Sequence, residues 1–224
     1  MASLKIKKST IKTIIFDFDG TLAKLNIDFH QMRESIRKLI LSSDIPADEL
    51  NSDLVLEMIN ETAIILNQSC AQKAKKFTRE ANAIIEKIEI EAANNGELFG
   101  QTRELFESLK SREISLGIIS RNCAKAVKTV FPDILSYCPV VVCRDDVKNV
   151  KPHPQHLNTA LNKLGGSPQN TIMIGDHPLD IKTGRNAGTW TCGVLTGHCQ
   201  KIDFIEAGAD LILSQAADII SILK

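Results

Sequence analysis

Hydrophobic residues follow two different patterns along this chain. From residue 101 onward, short apolar runs alternate with amphipathic stretches; the runs are "ISLGIIS" at 114–120, "PVVVC" at 139–143, "TIMIG" at 171–175, "TWTCGVL" at 189–195 and "DLIL" at 210–213. Such runs are typical of strands that are buried on both faces of a parallel sheet and joined by helices. Thr13 to Phe18 has the same character. The pattern predicts an α/β fold with a doubly wound (Rossmann-like) parallel sheet as its core.

The second pattern is helical and occupies Asn26 to Asn95, where no convincing strand is found. Its apolar positions are Phe29, Met32, Ile36, Leu39 and Ile40, then Leu54, Met58 and Ile65, then Ala74, Phe77, Ala81, Ile84, Ile85 and Ile88, with a break near Pro46. The first strand precedes this block and its sheet partners follow it, so the block must be an insertion. We predict a core domain of residues 1–25 and 97–224 and an inserted helical domain of residues 26–96.

Charge and cysteine usage restrict the possible partners. The chain has 27 Lys and Arg against 27 Asp and Glu, so no overall field favours nucleic acid or an anionic membrane. No apolar run approaches the roughly 20 residues of a membrane span. The 6 cysteines form no C-x-x-C pair, which favours reduced thiols in a cytoplasmic protein. We therefore expect no nucleic-acid partner and no membrane partner.

Polar and charged residues gather where the predicted strands end. They are Asp17 and Asp19 in "TIIFDFDGTL", Ser120, Arg121 and Asn122 after the second strand, Lys151 in "KPHP", and Asp176 and Asp180 in "GDHPLD". Ligands of doubly wound sheets bind outside the carboxyl ends of the strands. We expect these side chains to converge at one edge of the sheet.

A phosphoryl group would explain each of these residue types. Its anionic oxygens repel a carboxylate nucleophile until cations neutralise them, so Mg²⁺ with oxygen ligands and a nearby ammonium are both needed. Asp17 and Asp176 are the predicted metal ligands, and Asp17 is also the predicted nucleophile. Lys151 and Ser120 would bind phosphoryl oxygens. Asp19 would be free for proton transfer if Gly20 turns the chain so that both acids reach the site.

Four motifs occur in this chain in the following order: D-x-D-G-T-L, a serine that closes the second strand, K-P-x-P and G-D-x-x-x-D. Together they resemble the four motifs of the haloacid dehalogenase-like (HAD) hydrolase superfamily, which occur in that order. The nearest subgroup is the C1-capped phosphoglycolate phosphatase-like enzymes, and the helical insertion resembles their cap domain. The resemblance implies Asp17 as nucleophile, Asp19 as general acid and then base, Asp176 as a magnesium ligand, and the main-chain oxygen of Asp19 as another. It implies that Asp180 orients Lys151 or a metal-bound water.

Several alternatives stay open from the sequence. Arg121 and Asn122 are also candidate phosphate ligands. Equally, Ser120 or Asn122 could cap a helix, and Arg121 could be an arginine exposed to solvent. His153 and His177 receive no catalytic role. The expected activity is Mg²⁺-dependent hydrolysis of a small phosphorylated metabolite, with a phosphosugar mutase, an inorganic pyrophosphatase or a non-enzymatic binding module as alternatives. A dehalogenase is disfavoured because that activity needs no acid at position 19. The sequence selects neither the metabolite nor the oligomeric state.

Overall fold

A computed structural model of the chain describes residues 5–6, 9–45 and 50–223. The predicted break near Pro46 lies outside these residues. The chain divides into two compact units, one containing residues 1–25 and 96–224 and the other containing Asn26–Asn95. The helical unit thus ends one residue before the boundary that the sequence predicts.

In the part of the chain that the structure describes, the α/β unit contains all the strands and most of the helices. The strands are β1 (Lys5–Ile6), β2 (Ser9–Thr10), β3 (Thr13–Phe16), β4 (Ala23–Lys24), β5 (Glu97–Leu98), β6 (Ser115–Ile119), β7 (Val140–Val142), β8 (Thr171–Gly175), β9 (Trp190–Val194) and β10 (Leu211–Leu213). The helices within the described residues are α1 (Phe29–Leu41), α2 (Val55–Ser69), α3 (Ala71–Ala93), α4 (Thr102–Lys110), α5 (Ala124–Val130), α6 (Ile134–Tyr137), α7 (Pro154–Leu164), α8 (Pro178–Ala187), α9 (Lys201–Ala207) and α10 (Ile219–Ile222).

Six strands form one sheet in the order β10-β9-β8-β3-β6-β7. All its neighbouring strands are parallel, which confirms the predicted doubly wound sheet. The first strand of the core, β3, lies between β6 and β8, although the inserted helices and α4 separate it from both in sequence. The ends of these three strands therefore lie side by side.

Strand β3 is fixed by burial on both faces of the sheet. Successive side chains of a strand point to opposite faces. Here Ile15 belongs to the core cluster that contains Leu157 of α7, and the Phe16 ring meets Phe106 on α4 with centroids 5.6 Å apart. Ile15 and Phe16 are both fully buried, and full burial of such a side chain contributes roughly 1.5–3 kcal/mol. A one-residue slip would exchange the two faces, so the position of the chain after Phe16 is well defined.

In the helical unit, α1, α2 and α3 pack against one another. Its buried apolar residues include Met32, Ile36, Ile40, Met58, Ile59, Leu66, Phe77, Ala81 and Ile85. Three predicted stripe positions are exposed instead: Phe29 at 52%, Leu54 at 38% and Ile65 at 36%. Phe29 and Leu54 lie at helix starts, and Ile65 lies beside the stripe that α2 buries, which runs through Met58, Ile59, Thr62 and Leu66.

All six cysteines are free thiols, and Cys123, Cys138, Cys143 and Cys192 are buried. Among the residues that the structure describes, no helix has the length and apolar character of a membrane span.

Candidate active site

The carboxyl ends of β3, β6 and β8 bring three predicted site residues to one edge of the sheet. Asp17, Ser120 and Asp176 each follow directly after the last residue of their strand. The Asp17 N–H donates to the Ile174 carbonyl over 2.8 Å, which extends the ladder between β3 and β8 by one residue. Carboxylate oxygens of Asp17, Asp176 and Asp180 all lie within 4.8 Å of one another. The predicted convergence at this edge is therefore present for Asp17, Asp176 and Asp180.

Lys151 lies between two of these carboxylates. Its Nζ is 2.6 Å from Asp17 Oδ1 and 2.6 Å from Asp180 Oδ1, and its side chain is 3% exposed. Burial alone would lower the pKa of Lys151, but the charges of Asp17 and Asp180 and the hydrogen bonds to them raise that pKa above its ordinary value. The lysine is therefore a buried, permanently charged ammonium next to Asp17.

Asp180 is engaged by protein groups through both of its oxygens. Oδ1 accepts from Lys151 Nζ, and Oδ2 accepts from the His177 N–H over 3.1 Å at the start of α8. The second contact fixes the carboxylate on the helix, so the first can hold the ammonium in one place. This geometry is what a role in orienting Lys151 requires.

Asp176 is accommodated by two glycines and a threonine. Thr21 Oγ1 donates to Asp176 Oδ1 over 3.3 Å. A Cβ atom would lie 2.2 Å from Asp176 Oδ2 if it were added at Gly20 and 1.9 Å from it if it were added at Gly197. Gly20 also has φ +81°, which a residue with a side chain adopts only with strain. Both positions therefore leave the space that the Asp176 carboxylate needs.

Asp19 lies in the turn after β3, and its carboxyl group is separate from the cluster around Lys151. Its Oδ1 accepts from the Leu25 N–H over 2.9 Å. Burial raises the pKa of Asp19 to about 6, against the opposing effect of this hydrogen bond. A carboxyl group with a pKa near neutrality can both donate and accept a proton at physiological pH.

The charges at this edge do not balance. Three carboxyl groups, those of Asp17, Asp176 and Asp180, cluster around one ammonium, and Asp19 adds a fourth acid close enough to interact electrostatically with Asp17. Burial raises the pKa of Asp17 to about 6, with Asp180 adding to the rise and Lys151 opposing it. Burial, together with the charges of Asp17 and Asp180, raises the pKa of Asp176 to about 8. The surplus of negative charge favours protonation unless a cation is bound, so the site fits a divalent ion.

The donor set fits a hard divalent cation such as Mg²⁺, because ions of this class prefer carboxylate and carbonyl oxygens as ligands. Among the described residues, the carboxylate cluster contains Asp17, Asp176 and Asp180 but not Asp19. Since both oxygens of Asp180 accept hydrogen bonds, from Lys151 Nζ and from the His177 N–H, Asp17 and Asp176 remain the predicted metal ligands. The resemblance to the HAD superfamily gives Asp19 a part through its main-chain oxygen, not its carboxylate.

The segment after β6 supplies hydroxyl and amide groups. Ser120 is 1% exposed, and its Oγ accepts from the Asn122 N–H over 3.2 Å. Neither residue caps the next helix, because α5 has Cys123 as its N-cap; the capping alternatives are therefore wrong. Asn122 Nδ2 is buried without a hydrogen-bond partner among the described residues. Arg121 Nη1 donates to the Lys151 carbonyl oxygen, so its predicted phosphate contact stays a prediction.

Sequence reasoning missed three residues next to this edge: His156, Thr196 and Gly197. Thr196 Oγ1 donates to the Gly20 carbonyl, and Gly197 adjoins Asp176 as described above. His156 is fully buried on α7 beside Leu157 and near Ala160. A histidine at helical spacing among apolar residues is a signal that the sequence does contain, whereas nothing local marks Thr196 or Gly197.

His156 makes one hydrogen bond through each ring nitrogen. Its Nε2 is 3.0 Å from the Val142 carbonyl oxygen, and its Nδ1 is 3.2 Å from the Lys151 amide nitrogen. A carbonyl can only accept and an amide N–H can only donate, so the partners require the neutral ring with its proton on Nε2. Burial, followed by the charge of Lys151, lowers the pKa of His156 to about 4.

The depressed pKa of His156 predicts a specific pH dependence of stability. The unfolded chain takes up a proton near the ordinary pKa of 6.5 and the native protein near 4, so this residue's contribution decreases as the pH falls between these values. The free energy of unfolding of the wild type, minus that of His156→Asn, should therefore shrink by about 3 kcal/mol from pH 7 to pH 4. Urea unfolding of both proteins across this pH range measures the difference. Because both proteins contain the same acidic cluster, the effect of its titration on stability cancels in the difference. A constant difference would contradict a neutral buried ring.

A parallel α/β core with one lysine and several carboxyl groups at its strand ends defines a class of enzymes that act on phosphoryl groups. The chain belongs to the haloacid dehalogenase-like hydrolase family, which it matches over residues 14–194, and it is a hydrolase of the phosphatase type. The resemblance inferred from the sequence motifs is thereby confirmed.

Individual relatives align over nearly the full chain. The pyrophosphatase PpaX of Bacillus pumilus (strain SAFR-032) is 27% identical over 235 residues, covering 97% of this chain and 99% of the relative. A solved structure from Bacteroides fragilis, described as a candidate haloacid dehalogenase-like hydrolase, has a TM-score of 0.70 at 23% identity and covers 93% of this chain and 99% of its own. A structure from Haemophilus somnus 129PT, described as a predicted phosphoglycolate phosphatase, has a TM-score of 0.63 at 21% identity, with coverage of 95% and 97%. At these identities, the two structures show the fold.

Proposed function

We propose that this protein is a Mg²⁺-dependent phosphomonoesterase that hydrolyses a small phosphorylated metabolite through an aspartyl-phosphate on Asp17. The observation that carries the proposal is the position of Lys151 Nζ, 2.6 Å from Asp17 Oδ1 in a buried cluster of acids. An ammonium at that place can neutralise phosphoryl oxygens as the Asp17 carboxylate approaches phosphorus.

The side chains support a two-step mechanism. An Asp17 oxygen attacks phosphorus, the bond to the leaving oxygen breaks, and Asp19 gives its proton to that oxygen. Asp19 then takes a proton from a water molecule, whose oxygen attacks phosphorus while the bond to Asp17 breaks. Inorganic phosphate leaves, and both carboxyl groups return to their starting states. The pKa of Asp19, raised by burial to about 6, suits both proton transfers.

Magnesium, held by Asp17 and Asp176, would supply positive charge that reduces the repulsion between carboxylate and phosphoryl oxygens. Lys151 supplies a second positive charge from the protein itself. Ser120 Oγ and the buried, unpartnered Asn122 Nδ2 would donate to phosphoryl oxygens. An unpaired buried amide costs free energy, and a bound phosphoryl group would remove that cost.

Pyrophosphate is the second candidate substrate, because the Bacillus pumilus relative that aligns over the full chain is named a pyrophosphatase. The same groups would serve, with inorganic phosphate as the leaving group. We propose that the helical unit, which resembles a C1-type cap, determines which phosphorylated compound is accepted.

The test measures phosphate release from a panel of phosphorylated metabolites, with phosphoglycolate, inorganic pyrophosphate and an aryl phosphate included. We expect release from at least one compound with MgCl₂ and none with EDTA. A higher kcat/KM for pyrophosphate than for every monoester would favour the second candidate, and isomerised phosphosugar without free phosphate would indicate a mutase. No turnover of any compound by folded protein with Mg²⁺ would contradict the proposal.

Metal binding can be tested without turnover. At a Mg²⁺ concentration of about 100 times Kd, the native state should gain roughly 2.7 kcal/mol, seen as a higher Tm. Asp176→Asn should lose most of this gain because it lacks one charged ligand. Asp203→Asn, a change of the same type in the first turn of α9, should keep the gain. An equal response of Asp176→Asn and the wild type would exclude Asp176 as a ligand.

A further inference from the structure

Lys151 is held by side chains at its backbone as well as at its ammonium group. Its amide N–H donates to His156 Nδ1 over 3.2 Å, and its carbonyl accepts from Arg121 Nη1. The backbone of a residue in a loop is usually free to shift. Here both peptide groups of the lysine are bound by side chains, which indicates that its main-chain position matters.

His156 connects Lys151 to the end of the neighbouring strands. The Val142 carbonyl accepts both from His156 Nε2, 3.0 Å away, and from the Ser120 amide N–H, 3.0 Å away. A continuous chain of hydrogen bonds therefore runs from Ser120 N–H through the Val142 carbonyl and the His156 ring to Lys151 N–H. Its two ends are the residues that the proposed mechanism uses to bind phosphoryl oxygens.

We propose that His156 is a positioning residue that fixes the backbone of Lys151 through the bond to Nδ1, while the Val142 carbonyl holds the ring in the tautomer whose Nδ1 accepts, so that Lys151 and Ser120 reach the same phosphoryl group. The inference rests on the proposed function of Lys151 and Ser120. The imidazole suits this task because it is rigid, fully buried, and offers an acceptor and a donor on opposite sides of one ring. A misplacement of about 1 Å can reduce a rate by two orders of magnitude, so a fixed separation is functionally significant.

Two substitutions separate the two hydrogen bonds of His156. In His156→Asn the amide oxygen can take the place of Nδ1, so the Lys151 contact is retained and the Val142 contact is lost. In His156→Gln the amide nitrogen can take the place of Nε2, so the Val142 contact is retained and the Lys151 contact is lost. In His156→Asn the Val142 carbonyl still accepts from the Ser120 N–H, whereas His156→Gln leaves the buried Lys151 N–H without that acceptor, so Tm should fall more in His156→Gln. Activity is therefore compared at a temperature at which both variants are fully folded. His153→Asn is the control, because His153 is exposed and asparagine also caps helices well.

We measure kcat/KM for an aryl phosphate with Mg²⁺, and the Ki of inorganic phosphate. In His156→Gln, kcat/KM should fall and Ki should rise by about tenfold or more, whereas His156→Asn should stay within about threefold of the wild type. Activity that falls equally in both variants at that temperature, or activity that neither variant changes, would overturn the proposal.

Amide hydrogen exchange at Lys151 gives a readout that needs no turnover. The Lys151 N–H should be protected in the wild type and in His156→Asn, and should exchange about tenfold or more faster in His156→Gln. If the wild type hydrolyses no phosphate ester but the exchange follows this pattern, the proposed function fails and the positioning by His156 stands. Equal exchange in all variants overturns the inference even in an active enzyme.

Discussion

Asp17→Asn is expected to lower the rate of phosphate release from an aryl phosphate by at least about a thousandfold, because an amide cannot form the covalent intermediate. The substitution retains the shape of the side chain and removes one of several clustered negative charges. The protein should therefore fold normally, with a Tm close to that of the wild type in EDTA. Steady-state kinetics with MgCl₂ and thermal unfolding measure the two effects separately.

The matched control for this substitution is Asp53→Asn. Asp53 is an aspartate of the helical unit whose side chain is 79% exposed and pairs with Arg37, so its loss should leave turnover within about twofold of the wild type, as for most surface changes. Retention of more than a few per cent of wild-type activity by Asp17→Asn would rule out the covalent route and leave direct attack by water.

Lys151→Met is expected to give the second largest effect, a fall in kcat/KM of about a hundredfold to a thousandfold. Methionine keeps an unbranched chain of similar length but removes the charge that Asp17 and Asp180 share at 2.6 Å. Removing one partner of a buried ion pair typically costs 3–5 kcal/mol, so the free energy of unfolding in EDTA should fall by about that amount.

Lys148→Met is the control that separates a loss of activity specific to position 151 from a general effect of replacing a lysine by methionine in this segment. Lys148 is exposed and lies three residues before Lys151, so its replacement removes the same charge from the same segment without entering the site. It should change neither turnover nor stability appreciably. A Lys151→Met protein that loses stability but keeps full kcat/KM would show that the lysine serves only the fold.

The position of the site at one edge of the sheet was predictable from sequence because it depends on strand order and on strand ends. Apolar runs identify the strands, and parallel strands with helical crossovers place their carboxyl ends together. Asp17, Ser120 and Asp176 each follow directly after such a run. Their shared location is therefore a consequence of topology.

Residue type and spacing alone did not give the partners of Arg121 and Asp180, although the family resemblance implied that Asp180 orients Lys151 or a metal-bound water. Both are charged residues near the site, but Arg121 contacts a main-chain oxygen of Lys151 and Asp180 divides its two oxygens between Lys151 and His177. Residue type and spacing show that a charge is close, whereas its partner depends on side-chain direction and on loop paths, which the hydrophobic pattern does not encode.

His156, Thr196 and Gly197 were missed for a related reason. His156 and Thr196 each hydrogen-bond main-chain groups, and Gly197 contributes the absence of a side chain. Any residue has main-chain groups, so such contacts leave little trace in one sequence. Ile65 in the helical unit was mispredicted for a similar reason. The helical spacing was correct, but α2 buries the adjacent Leu66 instead of Ile65, because packing against other helices decides which face of α2 is covered.

The space around Asp176, bordered by Gly20 and Gly197, gives this enzyme a vulnerability that does not involve its chemistry. One additional methyl group at either glycine would collide with the carboxylate, although every acid and the lysine would still be present. Such a protein would be classed as active if HAD-type relatives were compared only by their acidic residues. Positions 20 and 197 should therefore be read together with the aspartates when inactive members of the family are sought.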